Sequence, residues 1–323
     1  MDNGCNKMLA LVAFVWAGVI MPCFHASVGM GFNNLDNWPG GGIQTVRIWD
    51  IGATWRDTHL GVDVYDWSKL DAVVAQIESI GARATYVIGA CPQWLAKYPD
   101  NPNYAPWLGP GSNSMPYDIN EFNKWVWVLS TRYAGRIAAY EVWNEPQLAD
   151  FLYPYHVSET DTLANMTKRA YSTIKSCDSG AAVMAASILP RASSGGMDKA
   201  SKYLDSLQKF GWTVDGFTCH IYPEVDQGAD SWHSMLVDTK TALAGYGAGA
   251  AAGNLWVTET NFNLLGPVVP EESAAQLVAD TYGYAAAEGV DVIDWYGWDT
   301  TASLGGLDIR EGTAAWTEIQ AHQ

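Results

Sequence analysis

Cationic side chains are scarce in this sequence. Its 323 residues hold 18 Lys and Arg against 35 Asp and Glu, a formal charge of −17, and a field of that sign repels nucleic acid, anionic membrane and polyanionic substrates. A neutral partner is the economical expectation. Cysteine is scarce too, with five in all. Beyond the N-terminal stretch only Cys91, Cys177 and Cys219 remain, which make no disulfide framework, no CxxC and no pairing with histidine at zinc-site spacing. They read as isolated buried thiols, and neither metal nor cofactor is expected. No apolar run reaches the roughly 18 residues of a membrane-spanning helix, and no internal repeat, low-complexity tract or interdomain linker is visible. One domain is expected.

The N-terminus carries Lys7, an apolar run over 8–21, then Pro22 and the small Ala26, the layout of a secretory signal peptide. Cleavage near residue 26 would leave 27–323 as a soluble secreted or periplasmic domain, expected to be a monomer. It would remove Asp2 and Lys7 together, so the charge stays at −17. Cys23 leaves a lipoprotein alternative open, although Met21-Pro22 before it makes an unusual lipobox.

Hydrophobic residues make up 48% of the chain, enough for a large core. Apolar, β-favouring runs fall at 28–32, 45–49, 84–89, 138–143, 182–189, 216–221, 255–258 and 290–295. Between them the helical period recurs: over 67–80, Leu70, Val73, Val74 and Ile77 share one face, and Gly81 follows as a stop. Strand, helix, glycine, strand, with nearly continuous apolar strands, is the pattern of parallel β/α units. Eight of them predict an α/β (β/α)8 TIM barrel. The linker 33–42 (NNLDNWPGGG) has no room for helix 1, which should be missing or a turn. The long insert 92–116 follows strand three, where it would wall the active-site face.

On this count Glu145 (in EVWNEP) closes strand four and Glu259 (in WVTETN) closes strand seven, so both point into one mouth. Two facing carboxylates suit glycoside hydrolysis, in which one protonates the leaving oxygen while the other attacks or activates water. Each has a structural alternative. Glu145 could stabilise a helix beginning near Pro146 with Asn144 as its cap, and Glu259 could pair with a surface cation.

Together these residues resemble the clan A glycoside hydrolases, the 4/7 superfamily of retaining enzymes, over the whole of 27–323. The resemblance implies Glu145 as acid/base, Glu259 as nucleophile and Asn144 as donor to the sugar 2-hydroxyl. Arg47, in Val46-Arg47-Ile48-Trp49, matches the strand-two arginine that keeps the nucleophile ionised. His220 and Tyr222, in His220-Ile221-Tyr222-Pro223, match the strand-six motif, with the tyrosine against the nucleophile and the histidine near the acid/base. For Arg47 a buried pair with Glu141 is the alternative, and for His220 and Tyr222 a core hydrogen-bond pair. Pro92 and Trp94 in GACPQWLA are most similar to glycoside hydrolase family 39 and related single-domain bacterial endoglycosidases, although no C-terminal β-sandwich follows and helix 1 is lost.

With sixteen tryptophans, rings for sugar stacking are plentiful. Trp49, Trp94, Trp143, Trp295 and Trp298 lie at or past strand ends and Trp107 lies in the long insert; by family analogy Trp298 would floor the sugar site, and core packing is the alternative for the others. Asn165-Met166-Thr167 is a glycosylation sequon on a helix. The reading is a secreted retaining β-glycosidase acting on a carbohydrate, against a catalytically silent carbohydrate-binding barrel or a transglycosylase.

Overall fold

The alternation in Thr45-Val46-Arg47-Ile48 sets the pattern of the whole molecule: Val46 and Ile48 face outward into an apolar shell, while Thr45 and Arg47 face inward. The computed structural model describes residues 26–33 and 35–323, so residues 1–25 of the expected signal peptide lie outside it. Eight strands form one parallel sheet: β1 (Ser27–Gly31), β2 (Thr45–Ile48), β3 (Arg83–Ile88), β4 (Ile137–Val142), β5 (Ala182–Met184), β6 (Phe217–Ile221), β7 (Leu255–Thr260) and β8 (Val292–Trp295). Their order is β5-β4-β3-β2-β1-β8-β7-β6, and the end strands meet through bridges at Met184–Gly216 and Ile188–Cys219. The sheet therefore closes into a (β/α)8 barrel. All eight expected strands are present. β5 is shorter than expected because the chain beyond Met184 pairs with β6 only through those bridges.

The principal helices are α1 (Ser68–Ser79), α2 (Ile119–Arg132), α3 (Val157–Cys177), α4 (Gly196–Lys209), α5 (Ala229–Gly245), α6 (Glu271–Glu288) and α7 (Ala314–Ala321). α1 buries Leu70, Val73, Val74 and Ile77 as its period requires. It ends at Gly81 (φ +74°), where Gly81 N–H donates to Glu78 O and Ala82 N–H to Ile77 O, at 3.1 and 3.2 Å. That is a Schellman stop, which a side chain would strain. No helix lies between β1 and β2 among the described residues. The flank of the barrel there is covered by α7, whose neighbour Gln323 donates to Gly42 O at 3.1 Å.

The main core lies between sheet and helices, with Val46, Tyr86, Val142, Phe217 and Ile293 on the strand side. The barrel axis is different. Its floor is apolar, with Ala139, Met184, Trp256 and Val292 in contact. The next layer holds Thr45, Arg47, Glu141, His220 and Asp294, all buried and polar. Above its apolar floor the inner face thus departs from continuous apolar strands, and charge is stored there below the mouth.

The insert 92–116 does build a wall beyond β3. Its ends are pinned together by a bridge between Ala96 and Pro116 and by Cys91 N–H donating to Ser112 O at 2.9 Å. A small hairpin, His59–Gly61 with Val64–Tyr65, stands beside it. Cys91 and Cys219 are buried and Cys177 half-buried, all three unpaired. No described helix is long and apolar enough to cross a membrane. Within the sequon Thr167 is buried in α3 and donates to Leu163 O at 2.9 Å, while Asn165 is half-buried.

Candidate active site

Beyond β4 the chain abandons strand geometry for three residues. Trp143 and Glu145 have φ of +86° and +39°, a region that costs residues with a Cβ about 1–3 kcal/mol each and persists only when the surroundings enforce it. Here Trp143 N–H donates to Ile88 O and Trp143 Nε1 to Phe151 O, both at 2.8 Å, while Glu145 N–H donates to Ser187 Oγ at 3.0 Å. The twisted end turns Asn144 and Glu145 into the mouth together. Pro146 starts a turn rather than a helix, since the next helix begins at Val157. Asn144 caps nothing, which removes the capped-helix alternative.

Glu259 reaches the same mouth by another device. Trp256 faces the axis, so strict alternation would send Glu259 outward. The register against β6 jumps from Cys219↔Val257 to His220↔Glu259, and the register against β8 jumps in the same stretch. One extra residue in β7, a β-bulge at Thr258, reverses the parity and turns Glu259 inward.

Arg47 joins the two strand ends. Its Nη2 donates to Glu141 Oε1 and to Asn144 Oδ1, each at 2.7 Å, its Nε to Glu141 Oε2 at 3.3 Å, and its Nη1 to Glu259 Oε1. Both readings of Arg47 therefore hold at once: it is the buried partner of Glu141 and the cation beside Glu259. Because guanidinium only donates, the Asn144 oxygen must face it. The Asn144 amide nitrogen is thereby left free to donate into the mouth. Tyr222 Oη donates to Glu259 Oε2 at 2.7 Å, and His220 Nδ1 lies 2.6 Å from Glu145 Oε1 and 3.4 Å from Glu259 Oε2.

The two carboxyls sit in unlike surroundings. Burial pushes Glu145 up to about 8, with Arg47 only partly opposing it. Burial also raises Glu259, but Arg47, bonded to its Oε1, pulls against it and holds it to about 6. Burial outweighs that pull and leaves the group above the usual carboxylate range; Glu259 is still the stronger acid of the two. Burial lowers His220 to about 4, so its ring is neutral near pH 7.

Glu145, His220 and Glu259 bring three potential ligand atoms within 4.8 Å of one another. A tetrahedral ion about 2.1 Å from each would hold them roughly 3.4 Å apart. The 2.6 Å contact of His220 with Glu145 is a hydrogen bond, and a proton is what the arrangement accommodates.

The fold thus brings together Arg47, Asn144, Glu145, His220, Tyr222 and Glu259. It does not bring the two expected tryptophans to them. Trp298 is 5% exposed, packs on Phe32 and Trp316 and donates its Nε1 to Asn37 O. With no helix after β1, that indole is needed as filler. Trp94 donates to His59 O at 2.9 Å and sets its ring against His59, packing on the hairpin instead of opening to a sugar. Trp49, Trp143 and Trp295 are buried as core.

Residues the sequence reading passed over take those places. Asp50, just past β2, accepts from Tyr296 Oη at 2.7 Å and from Trp107 Nε1 at 3.2 Å, and its charge acts on Glu145, Glu259 and His220. Parity carried the signal for Tyr296: Asp294 faces inward to Thr45, so the residue two further on does too.

Comparisons with known proteins now bear on this geometry. No family model matches the sequence, and no curated protein matches it. Solved structures do. The chain is similar to the GH39 enzyme from Xanthomonas axonopodis pv. citri, with a TM-score of 0.69 at 17% identity over 92% of this chain and 65% of that one. It is similar to a glucosidase from Croceicoccus marinus (TM-score 0.67, 15% identity, 86% of this chain and 61% of that). It is also similar to xylanase 10B from Thermotoga petrophila in complex with xylobiose (TM-score 0.61, 14% identity, 92% and 94%). The likeness is one of fold. The shared fold is the (β/α)8 barrel. The chain spans about three-fifths of the glucosidase's length and nearly the whole of the xylanase's.

Proposed function

We propose that this chain is a retaining β-glycosidase, secreted by way of its N-terminal leader, that hydrolyses a neutral oligo- or polysaccharide through a covalent glycosyl-enzyme. One observation carries the reading: two buried carboxyls at the ends of β4 and β7, with oxygens within 4.8 Å of each other, of which one sits by a neutral imidazole and the other against Arg47 and Tyr222. A barrel that only bound carbohydrate would have no use for so matched an acid and nucleophile. The neighbours named for glucosidase and xylanase activity support a gluco- or xylo-configured substrate.

Glu259 attacks the anomeric carbon as its bond to the leaving oxygen breaks, and Glu145 passes its proton to that oxygen. The products are a glycosyl ester on Glu259 and an ionised Glu145. Water then attacks the same carbon, its proton goes to Glu145, and the ester bond breaks with Glu259 as leaving group. Asn144, its oxygen locked on Arg47, donates its amide hydrogen to the sugar 2-hydroxyl. Its place next to Glu145 in the twisted strand end suits that contact.

Carboxyls this close leave no space for a water between nucleophile and sugar, whereas inverting enzymes separate them by roughly 6.5–9.5 Å. The first-formed hemiacetal, followed by proton NMR, should therefore keep the substrate's anomeric configuration. Initial appearance of the opposite anomer would dismiss the double displacement.

The pH profile follows from the same pair. Glu259 must be ionised and Glu145 protonated, so kcat/KM should rise through about pH 6 and fall through about pH 8. The bell is centred near neutrality, higher than the acidic optimum expected from unperturbed carboxylates. Glu145→Gln should delete the basic limb and leave the acidic one. An unchanged profile in that variant would strip Glu145 of its role.

A further inference from the structure

The wall built by the insert carries an aromatic ring that the core has no use for. Trp107 is 65% exposed, yet the backbone under it is anchored: its neighbours Ala105 and Leu108 are buried in an apolar cluster with Trp49, Val87 and Phe151. Leu108 and Gly109 N–H both donate to Ala105 O, at 2.9 and 3.2 Å. Arg56 Nη1 holds Pro110 O at 3.1 Å. A rigid turn therefore presents the indole to solvent.

The ring is also oriented. Trp107 Nε1 donates to Asp50 Oδ1 at 3.2 Å, while Asp50 Oδ2 accepts from Tyr296 Oη at 2.7 Å. Phe151 meets it edge-on, with centroids 6.5 Å apart. One carboxylate thus ties the insert to the mouth-side ends of β2 and β8, in the mouth where its charge is felt by Glu145 and Glu259. Trp127 on α2 gives the contrast. It is 54% exposed, but among the described contacts its indole has neither a hydrogen bond nor a ring partner.

With its one polar atom engaged and a face open, an anchored indole is a surface for stacking on the C–H face of a pyranose. We propose that Trp107, held in position by Asp50, is a sugar-stacking platform that extends the site by at least one pyranose unit beyond the carboxylate pair, so that β-linked chains are bound in preference to single glycosides. The proposal rests on the glycosidase reading above. A neutral chain fits better than an acidic one, because Arg47 is already engaged by Glu141, Glu259 and Asn144 and the mouth adds Asp50 and Glu145.

The test pairs kinetics with binding. Xylohexaose and cellohexaose, with the matching 4-nitrophenyl β-monoglycosides, are assayed on wild type, W107A, W107F and W127A; calorimetry on an E259Q background measures hexaose binding without turnover. W107A should lose about 10-fold or more in kcat/KM on a hexaose beyond any loss on the monoglycoside, with weaker hexaose binding to match. W107F, which keeps a ring, should recover most of both, and W127A should match wild type. Equal hexaose binding in W107A and the parent protein, or no binding of either hexaose by the parent, overturns the platform. If W107A weakens binding of a protein that hydrolyses nothing, the platform stands and the glycosidase reading falls; if hydrolysis is normal but indifferent to W107A, the reverse holds.

Discussion

Glu259→Ala should lose activity on every substrate, by an order of 10⁴–10⁶-fold, and external azide should restore part of it as a glycosyl azide of inverted configuration. The reason is the division of labour at the pair. Without Glu259 no covalent intermediate forms, so a small anion entering the vacated space attacks the sugar directly while Glu145 still donates its proton. Glu145→Ala should fail differently. Activity on natural leaving groups should fall about 10²–10⁴-fold, whereas activated aryl glycosides, whose leaving group needs no proton, should still form the ester on Glu259. Azide then attacks that ester and the product keeps its configuration. Product stereochemistry by NMR separates the two. The reverse pattern would exchange the roles, and full activity in both variants would reduce the pair to structural carboxylates.

The second large effect is expected at Arg47. Arg47→Met leaves Glu141, which is wholly buried, without the two hydrogen bonds it receives from the guanidinium. Removing one partner of a buried ion pair costs about 3–5 kcal/mol, which for a chain of this size lowers Tm by about 10 °C. The same change takes the cation from Glu259 and the anchor from Asn144. Glu259 should then titrate at higher pH, and Glu145, which Arg47 also holds down, should follow it, so both limbs of the bell move upward, and kcat/KM falls about 10²–10³-fold. Arg47→Met combined with Glu141→Gln should regain much of the lost Tm, since the orphaned charge is gone, but not the activity. Wild-type Tm and pH profile in Arg47→Met, measured by calorimetry and kinetics, would show that the network holds neither the fold nor the nucleophile.

Local order was plain in the sequence because it depends on neighbours a few residues apart. The β-favouring runs, the face Leu70-Val73-Val74-Ile77 with its Gly81 stop, and the Pro and Gly of 33–42 that exclude a helix all act through backbone preference and period. Counting those elements placed Glu145 and Glu259 at the ends of the fourth and seventh strands, and the motifs around Arg47, Asn144, His220 and Tyr222 marked their partners. The tryptophans misled for a complementary reason. Whether an indole stacks on a sugar or fills a gap depends on what stands opposite it, and only the packed molecule supplies that. Trp298 went to the flank left open by the absent helix and Trp94 to the hairpin, while Tyr296, Asp50 and Trp107 met across the mouth from three distant parts of the chain.

By itself, then, the sequence determined the barrel, the order of its strands and which two carboxylates end the fourth and seventh, since period and spacing are properties of a linear chain. Tertiary structure decided by what local geometry both come to face inward. The positive φ of Trp143 and Glu145 and the extra residue at Thr258 override strand alternation, and such departures persist only where contacts from β3, β5, β6 and β8 hold them. It also decided the titration order, because burial and the placing of one arginine between Glu141, Asn144 and Glu259 are effects of distance in space, which spacing along the chain does not measure.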